Sequence, residues 1–528
     1  METPLSPLEF MRRTRRLHSH REGVVDGAER WLYGDFFNRC DRWSSALQAM
    51  GVEQGDRVAY LAPNTHAQLE SFYAVPQVGA VLVPINFRLI ADDFRYLIKH
   101  SGAKVVCVDG DYLDAVDSIR DDLKGVTHFV ALSWRDGASA PSGWLDYEAL
   151  VKGASGNVNR PSINETDLLT INYTSGTTSR PKGVMITHRN AWVNSVGMLA
   201  HWPMSPADRY LWTLPMFHAN GWTFTWTVTA AGGKHICLRK VDAAAVFRLA
   251  AIEGVTALCA APTILIGLAN APEEIKSGTP RGVRVMTAGA PPAAVTIQRV
   301  EEGLGWTVTQ IYGLTETSPA ITICEVLPEH LDVTPIERAR IKARQGVELM
   351  TSGDVRVVDG HGVEVPHDGG TVGEIVARGN VVMKGYYSDP EATKNCMGDG
   401  WFHTGDAAVV YPDGYIEIRD RLKDVIISGG ENISSVEVEG MLLRHDAIQE
   451  VAVVGMPDEK WGEAPHAFVI FKPGREATSE ALRAFCRDHL AHFKVPHSFT
   501  PLTELPKTAT GKIQKFVLRK GRPNITRQ

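Results

Sequence analysis

The sequence lacks what a disulfide framework, a zinc cluster or a nucleic-acid groove would need. Its seven cysteines, Cys40, Cys107, Cys237, Cys259, Cys324, Cys396 and Cys486, are scattered, odd in number and form no CxxC. That excludes a cystine scaffold and fits a reducing compartment. Net charge is −6, so no basic excess favours DNA or RNA. The first twenty residues hold Arg12, Arg13, Arg15 and Arg16 but no apolar core, so they do not read as a secretory signal. The most apolar stretch, 250–269, is interrupted by Glu253 and Pro262 and reads as helix–strand–helix, not as a membrane span. The last residues, ITRQ, carry no SKL-type peroxisomal address, and the expectation is a cytoplasmic protein without integral membrane association. There is no internal repeat, low-complexity tract or long linker.

What is present is a long chain with an ordinary globular balance: 528 residues, 44% hydrophobic and 22% charged. That length predicts at least two domains. Over the first two-thirds, short apolar runs (58–61, 81–85, 105–108, 168–173, 257–260 and 283–287) alternate with helix-like stretches. This predicts a layered α/β fold with parallel sheets. After about residue 345 the strands shorten (355–358, 372–377, 415–418) around Asp359-Gly360, Gly369-Gly370 and Asp413-Gly414 turns, which predicts a small barrel or hairpin-rich subdomain. A third texture begins near Asp424. Ser434 and Glu437 form a capping box opening a helix toward His445, strands follow at 450–454 and 467–471, and Thr478 or Ser479 caps a helix running to about Leu490. These residues predict a separate small α/β lobe.

The chemistry-bearing segment is YTSGTTSRPKG at 173–183, which follows the strand 168–173. It offers hydroxyls at Thr174, Ser175, Thr177, Thr178 and Ser179, close backbone approach at Gly176 and Gly183, and charge at Arg180 and Lys182. Hydroxyls, N–H groups and cations are what a polyphosphate requires. It is not a Walker A loop, because GxxxxGK[ST] does not fit.

In that segment the chain resembles the adenylate-forming superfamily of acyl-CoA synthetases, aryl-CoA ligases, beetle luciferases and peptide-synthetase adenylation domains, with Ser179 where glycine is usual. Further motifs follow in that superfamily's order: PMFHANGW at 215–222, TAGAPP at 287–292, QIYGLTETSP at 310–319, WFHTGD at 401–406, DRLKD at 420–424, SGGENISS at 428–435 and PKTATGKIQK at 506–515. GDRVAYLAPN at 55–64 and GAVLVPIN at 79–86 are also compatible, so the likeness covers most of the chain.

The resemblance implies a large layered α/β N-terminal domain with a small β-barrel subdomain (1–419), a hinge (420–424) and a small mobile α/β C-terminal domain (425–528). It implies that Thr174, Ser175, Gly176, Thr177, Thr178 and Lys182 hold the ATP phosphates, Thr177 also taking part in catalysis. Gly289, Ala290, Pro291, Tyr312, Gly313 and Thr315 would line the nucleotide, with Tyr312 stacked on adenine. Glu316 would bind Mg²⁺. Asp406 and Arg421 would meet the ribose, Lys423 would be the pivot, and Lys512 the catalytic lysine. Ser428, Gly429, Gly430 and Glu431 would serve the coenzyme A side. His218, Gly221 and Trp222, with Gly289 and Gly313, would border the acyl pocket, where His218 is either a gating, catalytic histidine or a buried structural one.

The activity so implied is ATP-dependent formation of an acyl-adenylate followed by transfer of the acyl group to coenzyme A, with a carboxylic acid and coenzyme A as the partners. A homodimer is compatible with it. Three alternatives stay open: a ligase that only thioesterifies a preformed adenylate, one that loads a separate carrier protein, and a non-catalytic nucleotide-binding protein. Medium-chain, branched, aryl and polycyclic acids all remain as substrates. Trp222 and Phe217 would shorten the pocket and Gly221 and Ala219 would open it. Acetate is disfavoured, because acetate-specific relatives generally carry a longer N-terminal region.

Overall fold

The computed structural model describes residues 2–132, 140–174, 180–422, 424–428, 431–458, 461–508 and 512–520. Among these residues two large sheets dominate, one of nine strands and one of eight. The eight-stranded sheet runs, edge to edge, through Gly385–Tyr386, Lys182–Thr187, Leu168–Thr174, Val81–Ile85, Arg57–Leu61, Ala103–Asp109, His128–Leu132 and Leu145–Asp146. From Leu168–Thr174 onward its neighbours are parallel. The nine-stranded sheet has a parallel interior that includes Arg209–Leu211, Ala257–Ala260, Arg284–Thr287 and Thr307–Gly313.

Helices fill the space between the sheets. His66–Gln77 is buried along its whole length. It shares one core with Tyr33–Ala49, His188–His201, Phe224–Ala231 and strand residues of both sheets. A second core lies under Ala91–Ser101, and a third under Ala243–Glu253, Pro262–Ala269 and Ala294–Leu304. The result is five alternating layers. The apolar stretch at 250–269 is helix, strand and helix, as its Glu253 and Pro262 require. All seven cysteines are free.

The expected parallel strands form the interiors of both large sheets, and antiparallel strands join at their edges. Strand Lys182–Thr187 returns antiparallel beside Leu168–Thr174, with Thr174 opposite Lys182. A parallel partner would need a crossover connection of a dozen or more residues, and the loop between these strands is too short for one. The hairpin-rich region also differs from a closed barrel. Asp354–Val358, Gly373–Arg378, Phe402–Val410 and Ile416–Arg421 form an open antiparallel sheet. Closure is unnecessary because one face packs on Val193, Tyr312 and Ile321. The Ile416 edge is covered too, its backbone bonding Gln345 and Gly346.

Beyond residue 424 a smaller sheet takes over, built on the hairpin Ile448–Asp458 with Gly462–Phe471. Helices Ser435–Leu442 and Ser479–Arg487 cover one face with their own apolar core. Ser434 caps the first helix by accepting from the Glu437 N–H. The Glu437 carboxylate turns instead to Lys494 at 2.7 Å, so only half of the expected capping box forms. Thr478 caps the second helix.

Asn64 joins the two large sheets. It follows Arg57–Leu61 of one sheet, donates to the Trp212 and Leu214 carbonyls at 2.9 and 3.0 Å, and accepts from the Met216 N–H at 2.8 Å. It is 5% exposed, so water cannot replace it. Asn64→Ala should lower unfolding free energy by about 3 kcal/mol through orphaned backbone groups. Denaturant unfolding checks this, and a loss below about 0.5 kcal/mol would remove Asn64 as the joint.

Candidate active site

The candidate site lies at the ends of strands Leu168–Thr174, Arg284–Thr287 and Thr307–Gly313, the usual ligand position in open α/β sheets. Thr174 and Lys182 face each other across the hairpin at the start and end of the phosphate-loop segment. Ser175, Gly176, Thr177, Thr178 and Ser179 lie outside the described residues, as do Lys423, Gly429 and Gly430. Arg180 does not point its charge across the hairpin. Its guanidinium lies 5.2 Å from the Tyr96 ring centroid, and Tyr96 Oη donates to the Pro181 carbonyl at 3.2 Å. Gly183 is required by packing, since a Cβ there would stand 2.9 Å from Ile171 Cγ2.

Glu316 sits in the turn Thr315–Thr317 and is half-buried. Its Oε1 accepts from Tyr386 Oη at 2.8 Å, and the Tyr386 ring carries Lys182 Nζ 4.8 Å from its centroid. Lysine, tyrosine and glutamate therefore form one cluster. Burial, then the Glu316 charge, push the Tyr386 phenol well up, so it stays a donor. Tyr386 was not among the residues singled out in the sequence. It comes from a two-residue strand, Gly385–Tyr386, that joins the hairpin edge. Its only local signal is the Gly-Tyr-Tyr run at 385–387.

Asp406 occupies a second cluster. Its Oδ2 accepts from Tyr312 Oη at 2.7 Å and its Oδ1 pairs with Arg421 Nε at 2.8 Å. Asp406 and Arg421 are cross-strand partners in the open sheet, so their pairing is built into its register. Burial opposes the Arg421 charge, but Asp406, then Tyr312 and Glu316, outweigh it and raise its pKa. Thr287 Oγ1, Gln310 Oε1 and Ser318 Oγ are buried with no hydrogen-bond partner. Thr287 and Gln310 are register partners at the same strand ends. These orphaned groups suit a polar ligand such as a nucleotide.

Gly289 has φ +90° and borders open space, with Ala290 and Pro291 half-buried behind it. Gly313 is fixed by close approach, because a Cβ there would lie 1.8 Å from the Pro319 carbonyl oxygen. Gly221 does not open a pocket as expected. The space its side chain would take is filled by Trp212, whose Cζ3 would be 2.6 Å away. Phe217 turns the other way and meets Phe87 edge-on at 5.5 Å. Trp222 is buried, at 4% exposure.

Lys512 is exposed, and its backbone is held by Thr508 on both sides: Thr508 Oγ1 accepts from the Lys512 N–H, and the Thr508 N–H donates to the Lys512 carbonyl. Its charge reaches His218. Burial first, then Lys512 and Arg88, push the His218 imidazole down to about 4. Lys512 is thus on the side of the molecule whose charge acts on His218. Ser428 is buried and pairs with Gly462, while Glu431 is exposed.

Two clusters at strand ends, one acid–tyrosine–arginine and one lysine–tyrosine–glutamate, with a lysine from the C-terminal segment, define an adenylate-forming enzyme. The AMP-binding enzyme family matches residues 11–387, and the AMP-binding enzyme C-terminal domain matches residues 437–512. The chain belongs to this family. It is 43% identical to the acetate–CoA ligase CCL3 of Humulus lupulus, over 98% of this chain and 94% of that one. The 4-hydroxybutyrate–CoA ligase 2 of Metallosphaera sedula is 42% identical over the same shares, as is the peroxisomal acetate/butyrate–CoA ligase AAE7 of Arabidopsis thaliana. Among solved structures, the anthranilate CoA ligase AuaEII with anthranoyl-AMP matches in fold at TM-score 0.88, with 24% identity and 99% of both chains covered. ATP-bound MatB from Rhodopseudomonas palustris matches at 0.84 with 27% identity, covering 98% of this chain and 100% of that one. Its apo form matches at 0.74 with 28% identity over the same shares.

Gly313→Ala should cost about 3 kcal/mol of stability and displace the Pro319 segment, because the obstructing atom is backbone. Chemical denaturation together with an ATP-binding titration checks it. Unchanged stability and affinity would show that Gly313 is dispensable.

Proposed function

We propose that this protein is an AMP-forming acid–thiol ligase that converts a small carboxylic acid to its coenzyme A thioester. The observation that supports this reading best is the placement of the Lys182–Tyr386–Glu316 and Tyr312–Asp406–Arg421 clusters beside the ends of the central strands. In the first step a carboxylate oxygen of the acid attacks the α-phosphorus of ATP and pyrophosphate leaves. The acid is already ionised at neutral pH, so the obstacle is bringing two anions together. Lys512 bridges the carboxylate and the α-phosphate, and Lys182 with the hairpin loop holds the departing pyrophosphate.

Among the described residues no group of three or more His, Cys, Asp or Glu is placed to hold a metal. A single carboxylate acting with phosphate oxygens is the donor set Mg²⁺ accepts, so Glu316 would hold it. The ion supplies charge neutralisation on the phosphates. Asp406, fixed by Tyr312 and Arg421, accepts from the ribose hydroxyls.

In the second step the coenzyme A thiolate attacks the acyl carbon and AMP leaves. We read 420–424 as the hinge and 425–528 as the lobe that moves between the steps, replacing Lys512 with the 428–431 hairpin. The better match to ATP-bound than to apo MatB supports a lobe placed for adenylation.

For the substrate we read a short-chain acid, since CCL3 is named for acetate and AAE7 for acetate and butyrate. The earlier argument against acetate loses its ground, since a relative named acetate–CoA ligase is covered over 94% of its length. The compartment follows the free cysteines, and we read it as the cytoplasm. AAE7 is named as peroxisomal, so cell fractionation decides.

Pyrophosphate release over a panel of acids should be highest for short-chain aliphatic acids such as acetate and butyrate, the acids for which CCL3 and AAE7 are named. A preference for polycyclic acids would refute the short-chain reading. Lys512→Ala should cut adenylation on the order of 10²–10³-fold. It should still turn supplied acyl-adenylate into thioester, whereas Lys423→Pro should do the reverse. Equal loss of both half-reactions in both variants would end the two-state hinge account, and comparing coenzyme A with a purified carrier protein fixes the acceptor.

His218 also makes a pH prediction. With its pKa at about 4 instead of 6.5, it is neutral during turnover, and the stability it contributes is full above 6.5 and lost as pH falls toward 4. The pH–rate profiles of the wild type and His218→Asn should share one shape between about pH 6 and about pH 9. A step near neutral pH present only in the wild type would contradict this.

A further inference from the structure

Residues Ala219, Asn220, Gly221, Trp222 and Thr223 have φ of +34°, +49°, +58°, +51° and +69°. This is a left-handed turn in which four of the five residues carry side chains. Each such residue costs roughly 1–2 kcal/mol relative to right-handed backbone. Strain of that size persists only where neighbours over-determine it. The turn begins at His218, whose carbonyl accepts from the Gly221 N–H at 2.9 Å.

What holds the turn is a closed ring of side-chain hydrogen bonds. Asn220 Nδ2 donates to Thr170 Oγ1 at 2.8 Å, and Thr170 Oγ1 donates to Asn172 Oδ1 at 2.7 Å. Asn172 Nδ2 closes the ring on Asn220 Oδ1 at 3.1 Å and also donates to the Phe217 carbonyl at 3.0 Å. The three residues are 0%, 2% and 1% exposed in chain order. Buried networks with every member satisfied rigidify a site. Thr170, Asn172 and Thr174 alternate along one strand and share a face. The ring therefore ties the turn to the strand that delivers Thr174 to the phosphates.

We propose that Asn172, acting through Thr170 and Asn220, is a positioning residue that sets the distance between the acyl-binding turn and the strand end at Thr174. It rests on the ligase reading above. The strand and the turn would otherwise be free to shift independently, and the acid carboxylate would lose its line to the α-phosphorus. Asn172 touches neither substrate; it aligns the segments that do. Because the turn is strained, the ring is also what keeps it from relaxing.

The test uses the full-length enzyme and two independent readouts. In Asn172→Ala, hydrogen exchange at the amides of Gly221 and Thr223 should accelerate, on the order of tenfold or more, while the core strand Val81–Ile85 stays protected. In pyrophosphate exchange, kcat/KM for the acid should fall on the order of 10- to 100-fold, with KM for ATP within about twofold. Asn220→Gly separates the ring from the backbone. Glycine accepts the left-handed conformation, so a purely conformational role predicts wild-type behaviour, and the ring predicts the Asn172→Ala phenotype. The proposal is overturned by unchanged exchange at 221–223 in a folded Asn172→Ala, by equal rises in KM for acid and ATP, or by normal activity of Asn220→Gly. If the wild type exchanges pyrophosphate with no acid, the ligase reading fails by itself, and the amide exchange still decides whether the ring holds the turn.

Discussion

Asp406 is the point on which the site's arrangement depends. A carboxylate at 4% exposure is costly to bury, and its cost is met only if both oxygens are engaged. Tyr312 engages one and Arg421 the other. The three side chains come from three places: the end of a parallel strand in the large sheet, and two neighbouring strands of the open four-stranded sheet. Their union fixes the open sheet against the nucleotide strands. It also anchors the chain at Arg421, inside the segment 420–424 read as a hinge. Asp420, next in line, accepts from the Ser435 N–H at 2.9 Å and so seats the first helix of the smaller lobe.

From that anchor a second set of contacts leads to the C-terminal lysine. Lys515 Nζ bonds Ser435 Oγ and reaches Glu439 at 2.9 Å, and Arg519 pairs with Asp424 at 2.7 Å. The short helix Lys515–Arg519 is thus fastened to the chain around the hinge, three residues beyond Lys512. Rotation about 423 would carry Lys512 with the lobe as one piece, since the residues that set its position belong to the same lobe or its root. A flexible tail could not place a charge reproducibly beside His218.

Much of this was legible in the sequence, and the limits have physical causes. Apolar runs such as 81–85 and 257–260 are strands because burial on both faces writes a continuous apolar signal. Ser434 and Thr478 mark helix starts because capping is local. Strand Lys182–Thr187 was not among the predicted strands, although the short loop before it admits only an antiparallel return. The open form of the four-stranded sheet depends on what covers its face, and Tyr312 and Val193 are distant in sequence. Tyr386, Asn172 and Asn220 were missed for the same reason, since each acts through a partner far along the chain. Gly221 was read as space, and only the fold puts Trp212 into it. Lys512 carries no local signal, and its role rests on resemblance.

Charge gives a reason for the proposed division of the site between a fixed part and a moving one. Adenylation brings a carboxylate to a polyphosphate, so positive charge must be present during that step. Thioester formation then expels AMP, and the same charge left in place would hold the product. Lys182 belongs to the rigid hairpin and stays beside Tyr386 and Glu316, where it serves the phosphates. In the proposed hinge account, Lys512 leaves with the lobe. His218, kept neutral by burial and by Lys512 itself, adds no competing charge at the junction. A histidine with an ordinary pKa there would be partly cationic and would weaken the difference between the two lobe positions. Depressing its pKa leaves the switch in charge to the lobe alone.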